Sequence, residues 1–171
     1  EIQTGVGRTG TLWACEQAGV TPDVLTTAKG IANGLPMGAT LVADWVAESP
    51  GDHGSTFSGG PVVCAAANAT LDAVVEKDLP AHAADLGDYL VSEIEAAADE
   101  HDLPVRSVRG SGLMVGIEVK RGANRILRDL AVHHGVLALP AGRSVVRLLP
   151  PLVAEEAHAD AFVEAFTEVL S

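Results

Sequence analysis

Few basic residues stand in this chain of 171: 11 Lys and Arg against 23 Asp and Glu, a formal charge of −12. That balance excludes a phosphate backbone or an anionic membrane as a natural partner. It fits the heavily hydrated surface of salt-adapted proteins. Lysines are scarcer still: Lys29, Lys77 and Lys120. The two cysteines, Cys15 and Cys64, form no CxxC, so neither a zinc knuckle nor a disulfide scaffold is indicated and buried reduced thiols are expected. Apolar runs fall short of the ~18 residues of a membrane span, and no basic-then-apolar signal opens the chain, so a cytoplasmic location is expected. The first residues are Glu1-Ile2-Gln3 rather than a methionine, which reads as the middle of a motif and so as part of a longer sequence.

With 47% hydrophobic residues the chain can bury a core. Short β-like runs alternate with glycine turns at the start: Val24–Thr27 before Lys29, and Ala39–Ala43 after Pro36. A helix is predicted from Pro61, tolerated in a first turn, to about Lys77. A second runs from about Ala81 to His101 with Leu86, Leu90 and Ile94 along one face, and the pair is placed to bridge two domains. Beyond Pro104 the pattern gives strands Val105–Val108 and Leu113–Val119 with a tight turn at Arg109-Gly110-Ser111-Gly112. A helix from about Asn124 to His134, strands at Val136–Leu139 and Val145–Leu149, and a helix from Glu155 to Leu170 complete an α+β pattern.

Gly5-Val6-Gly7-Arg8-Thr9-Gly10 formally matches the dinucleotide fingerprint. The run before it is polar, and the next strand ends in Thr27-Ala28-Lys29 with no acid, so a glycine-rich loop is the better reading. The histidines are isolated or, at His133 and His134, adjacent on a helix, and no metal site is expected. Asp99-Glu100 and Glu155-Glu156 read as solvated helix faces, and Trp13 and Trp45 as packing residues. Lys29 differs from an ordinary surface lysine in having Ala28 and Gly30 beside it, an arrangement expected to desolvate its amine and leave a nucleophile. Taken alone that pattern also fits a plain loop lysine.

Four separated segments carry more. Glu1 to Gly10, then Thr27-Ala28-Lys29-Gly30 with Asn33 to Gly38, then His53-Gly54-Ser55-Thr56-Phe57, then Val146-Arg147-Leu148-Leu149-Pro150-Pro151-Leu152 stand in order and spacing. In this the whole chain resembles the class III, ornithine/acetylornithine-type, aminotransferases that use pyridoxal 5′-phosphate (PLP), and most of all the members serving arginine and lysine biosynthesis. The resemblance implies an α/β protein of PLP-dependent transferase fold type I. Residues 1–75 would complete the large cofactor domain and 76–171 would form the small C-terminal domain.

It also implies roles. Lys29 matches the lysine that holds PLP covalently and carries a proton during the reaction. Gln3 matches the glutamine that hydrogen-bonds the cofactor's phenolic oxygen, and Ile2 the aliphatic residue against one ring face, both presented by one strand end. Ser55 and Thr56 match a loop binding the phosphate of the neighbouring subunit's cofactor, which makes the active site a property of a homodimer. Arg147 matches an arginine receiving a substrate carboxylate. The implied reaction moves an amino group from acetylornithine or a carrier-linked lysine to 2-oxoglutarate; 4-aminobutyrate or ornithine aminotransferases, a PLP mutase or racemase, and a non-catalytic relative are the alternatives. The family's aspartate for the pyridine nitrogen belongs just before Glu1 and its own-subunit phosphate loop further upstream, so the 171 residues alone are expected to be inactive. Ser58-Gly59-Gly60-Pro61 departs from the family's Gly-Gly-Asn-Pro, with the helix expected to survive through Pro61.

Overall fold

Alternation of inward and outward residues starts the fold. In β1 (Val24–Thr27), Leu25 and Thr27 are buried while Val24 and Thr26 are exposed. The strand pairs antiparallel with β2 (Ala39–Val42), Thr27 opposite Ala39. Between them lies a 3-10 turn, Lys29–Ala32, anchored by buried Ile31 and Ala32. Helix α1 (Pro61–Glu76) packs beside that turn and buries Ala67 and Val74. Its first turn is set by Pro61, and the Cys64 N–H donates to the Gly60 carbonyl at 3.1 Å without a side-chain cap. The computed structural model describes residues 1–46, 54–120 and 122–171. Two compact units divide the chain, Glu1–Ala81 and His82–Ser171.

The second unit is a four-stranded antiparallel sheet with helices. Its elements are α2 (Leu79–Glu100), which begins within the first unit, β3 (Val105–Ser111), β4 (Met114–Val119), α3 (Ala123–His134), β5 (Leu139–Ala141), β6 (Val145–Leu148) and α4 (Glu156–Leu170). The strand order is β3-β4-β6-β5. Val115, Ile117 and Val119 of β4 and Val146 and Leu148 of β6 turn inward. They join Leu86, Leu90 and Ile94 of α2, Ile126 and Leu130 of α3, and Phe162 and Phe166 of α4 in one core. The rings of Phe162 and Phe166 stack at 5.4 Å.

Two strand boundaries differ from those read in the sequence. The β3–β4 ladder continues to Ser111 opposite Met114, so the hairpin loop is Gly112-Leu113, with Gly112 at φ 51 in the first central position. Gly110 lies within the strand because a Cβ there would stand 3.1 Å from Val115 Cγ2 and 3.2 Å from Val91 Cγ2. The fifth strand is Leu139–Ala141 rather than Val136–Leu139, since a three-residue loop through Gly142 (φ 70) places Ala141 opposite Val145. Val136 instead closes α3, donating its N–H to the Leu130 carbonyl at 3.1 Å, and packs on the core. Trp45 is 76% exposed, with its indole N–H on Asp23 Oδ1 at 3.2 Å, so it is not a packing residue here. Cys15 and Cys64 are free thiols but half-buried.

Close approach governs Gly87. A Cβ at this α2 position would lie 2.2 Å from the Gly112 carbonyl oxygen and 2.5 Å from its carbon. These are backbone atoms of the hairpin loop and cannot rotate aside. Gly87→Ala is expected to destabilise the unit by about 3 kcal/mol, the upper part of the overpacking range. Thermal melts check it, and an unchanged melting temperature contradicts the close packing of α2 on the hairpin.

Tyr89 joins α2 to α4, its hydroxyl donating to Asp160 Oδ1 at 2.7 Å. That hydrogen bond, with lesser help from desolvation and from the Asp160, Glu93 and Glu156 charges, pushes the phenol up to about 12. A raised folded-state value means that the link's contribution to stability is whole below the ordinary phenol value near 10 and is lost as pH climbs towards 12. The difference in ultraviolet titration between wild type and Tyr89→Phe should therefore show ionisation near pH 12, moving back towards 10 in Asp160→Ala. A phenol ionising near 10 in the wild type contradicts the contact.

Candidate functional site

The N-terminal segment is built of turns. The Gly5 N–H donates to the Glu1 carbonyl at 3.2 Å, so Ile2 and Gln3 sit in a turn and not at the expected strand end. Glu1's carboxylate bridges the segment, accepting from Thr4 Oγ1 at 2.7 Å and from the Cys15 N–H at 3.0 Å. Partial burial alone would raise its pKa, but the Thr4 hydroxyl and the N–H groups of Ala14 and Cys15 hold it below the ordinary carboxylate value. Gly5 lies under Trp13: a Cβ would stand 2.8 Å from Trp13 Cε3 and 2.9 Å from the Glu1 carbonyl oxygen. No α-helix opens on Gly10, and a 3-10 turn at Ala14–Ala18 follows instead. The glycine-rich run is thus a local packing loop. Ile2 is 47% exposed and Gln3 half-buried.

Lys29 stands immediately past β1. Ala28 is fully extended, then Lys29 turns the chain with φ 49, a left-handed conformation that costs a residue with a Cβ about 1–2 kcal/mol. The turn is closed by the Ile31 N–H on the Ala28 carbonyl at 3.2 Å and by Asn33, also left-handed, on the Gly30 carbonyl at 3.1 Å. Ile31 and Ala32 are buried and anchor the turn, whereas Lys29 is exposed. Its side chain is exposed and has no hydrogen bond or ion pair among the described residues. The desolvation expected from Ala28 and Gly30 is therefore absent within this chain: Gly30 has open space where its Cβ would be, and two small neighbours shield nothing. What these residues do supply is a hydrogen-bonded turn that carries an exposed lysine.

Thr27, two residues earlier, was not singled out by the sequence. It is 1% exposed, and its Oγ1 is buried without a hydrogen-bond partner among the described residues. The inward alternation of Leu25 and Thr27 is the signal that places it there. Ser55 and Thr56 are exposed ahead of α1, with the Ser58 hydroxyl on the Ser55 carbonyl at 3.4 Å. His53, the first residue of their motif, lies outside the described residues.

Ile2, Gln3, Lys29, Ser55 and Thr56 all fall in the Glu1–Ala81 unit, and Arg147 in the other. Arg147 occupies the centre of β6, opposite Gly116 of β4 and Leu139 of β5. Its neighbours Val146 and Leu148 face the core, so the arginine faces the opposite side of the sheet. Nε is buried and makes no hydrogen bond, and no carboxylate among the described residues pairs with the guanidinium. The internal ion pair that would make Arg147 merely structural is not present among these residues.

Residues 1–170 match the family model described as aminotransferase class-III. The chain is 42% identical over 173 residues to an acetylornithine aminotransferase of Methanothermobacter thermautotrophicus, covering all of this chain and 44% of that protein. It is 46% identical over 155 residues to an acetylornithine aminotransferase of Bacillus subtilis, covering 89% of this chain and 39% of that one. Among solved structures, the acetylornithine aminotransferase of Elizabethkingia anophelis superposes with a TM-score of 0.90 at 35% identity, over 99% of this chain and 44% of that one. The ornithine delta-aminotransferase of Plasmodium falciparum does so with 0.90 at 31%, over 99% and 45%. The chain spans less than half the length of these relatives.

Proposed function

We propose, from the premise that this chain belongs to the class-III aminotransferases, that the protein it forms part of transfers an amino group from acetylornithine to 2-oxoglutarate. The fold is that of the type I PLP-dependent transferases, and the family's cofactor is PLP. The Glu1–Ala81 unit would then complete the large cofactor domain and the His82–Ser171 unit the small one. The observation that carries the reading is Lys29, a strained and exposed lysine at the end of a strand, with no partner among the described residues.

The residues present fit the cofactor. A free amine, a half-buried amide at Gln3 and an exposed aliphatic face at Ile2 are what an aromatic aldehyde bearing a phenolic oxygen requires. When bound, PLP supplies a carbonyl that condenses with amines and a ring that draws electrons from the substrate carbon. The Lys29 amine anchors it, and after displacement Nζ moves the proton at the amino-bearing carbon of the substrate. The Gln3 amide donates to the phenolic oxygen and Ile2 excludes water from one ring face. Ser55 and Thr56 donate hydroxyl and N–H groups to the phosphate in the partner subunit of a homodimer. The Arg147 fork receives a substrate carboxylate.

Acetylornithine is favoured as donor by the names of the curated relatives at 36–46% identity. The test gives the whole protein 2-oxoglutarate and, in turn, acetylornithine, ornithine, 4-aminobutyrate and a carrier-linked lysine, and follows glutamate. The highest kcat/KM is expected with acetylornithine. A higher value with any other donor reassigns the substrate, and no glutamate from any donor overturns the proposed activity.

A further inference from the structure

The core of the second unit is not filled throughout. A cavity of about 460 Å³ opens between α2, the β3–β4 hairpin and α4, within the range of small-molecule sites, about 300–1,000 Å³. Its walls are Leu86 and Leu90 of α2, Leu113 of the hairpin loop, Leu148 of β6 and Phe162 of α4, all buried. Leu148 faces the core, so the cavity lies on the core side of the sheet, the side opposite that taken by Arg147. Water finds few partners among such walls, and cavities walled by leucine and phenylalanine take up benzene-sized molecules.

The open end is different in character. Leu137 there is 88% exposed, and Glu155 and His158 are exposed beside it. These two polar residues hold each other: the Glu155 N–H donates to His158 Nδ1 at 3.0 Å, and the Glu155 carboxylate accepts from the His158 N–H as the cap of α4. An imidazole accepting at Nδ1 is uncharged, and neither lysine nor arginine lines the cavity among the described residues. The helix dipole that would favour an anion is answered by the Glu155 carboxylate itself at the N-cap. One cap bond leaves that carboxylate further lone pairs, so the opening presents negative charge above an apolar interior.

We propose that this cavity is a binding site for a small apolar cation, its ring or branched alkyl body lying between Leu86, Leu90 and Phe162 and its ammonium group at Glu155. The apolar walls select the body, and the carboxylate selects the sign of the head.

Benzyltrimethylammonium is the probe, because a quaternary nitrogen cannot condense with PLP, and benzyl alcohol is its uncharged counterpart. Ligand-observed NMR titration of the whole PLP-bound protein should give the cation a Kd of roughly 1 mM or tighter, with benzyl alcohol about fivefold weaker, the upper worth of one exposed ion pair. Glu155→Gln, which keeps an acceptor for the helix cap, should remove that difference without moving benzyl alcohol. Ala159→Leu enlarges a buried wall residue and should abolish binding of both probes. Should that variant fold poorly, Leu137→Lys at the exposed rim sets a like charge beside the ammonium group and should weaken the cation alone. No binding of the cation to the whole protein, as when the rest of its chain covers the opening, overturns the proposal. Equal wild-type affinities for the two probes, or cation binding that Glu155→Gln and Leu137→Lys both leave unchanged, overturns it as well.

Discussion

Lys29→Ala in the whole protein is expected to lower transamination by roughly two to four orders of magnitude, the range associated with a general acid–base group, and further for the lost covalent anchor. PLP should still bind weakly, through the contacts proposed for Gln3, Ile2, Ser55 and Thr56. The backbone at Lys29 adds a second readout. At φ 49 alanine retains the Cβ penalty, whereas glycine does not. Lys29→Gly should therefore fold more stably than Lys29→Ala by about 1 kcal/mol while being as inactive. Near-normal turnover in either variant contradicts the role, and equal melting temperatures contradict the strain.

The second large effect concerns Arg147. Lysine at this position keeps the charge but presents a point donor in place of a planar fork, and Nε of Arg147 is buried with no hydrogen-bond partner among the described residues. Arg147→Lys should weaken both amino-acid and 2-oxo-acid substrates roughly tenfold or more, since a carboxylate bound in a bidentate fork loses one of its two charge-assisted hydrogen bonds. Lys29 lies in the other unit, so covalent PLP content should be unchanged. Loss of PLP or of thermal stability with substrate affinity intact would falsify the carboxylate role and return Arg147 to a structural one.

Local pattern carried the helices and most strands. Val24–Thr27 was legible to the residue because a β-branched pair and turn residues bound it, and α2 because Leu86, Leu90 and Ile94 repeat every four. The errors have physical sources. Gly110 and Gly112 look alike in sequence, yet one is a glycine for packing against Val91 and Val115 and the other for a positive φ, so the turn was drawn two residues too wide. Val136–Leu139 reads as a strand because it is apolar, but pairing is dictated by the Gly142 loop, which shifts the ladder to Leu139–Ala141. Trp45 shows that a large aromatic alone does not imply burial.

The site was legible in a different way. Composition and spacing left Lys29 indistinguishable from a loop lysine, and the order of four motifs named it. Its left-handed backbone could not be read from Ala28-Lys29-Gly30, because in this turn the residue with φ 49 is the lysine and not the glycine that follows it. Thr27 is unremarkable in sequence, yet it is buried and its hydroxyl has no hydrogen-bond partner among the described residues. The cavity that opens at Glu155 depends on α2, the hairpin and α4 meeting in space, which no single segment encodes.

The central claim is that Lys29 is the residue that holds the cofactor, and borohydride tests it most directly. Reduction of the whole protein with bound PLP makes the covalent link permanent, and digestion followed by mass mapping locates it. The expected result is one modified peptide containing Thr27-Ala28-Lys29-Gly30, labelled at Lys29, and no label in Lys29→Ala. Label at Lys77 or Lys120, or a reduced protein carrying no label at all, contradicts the account.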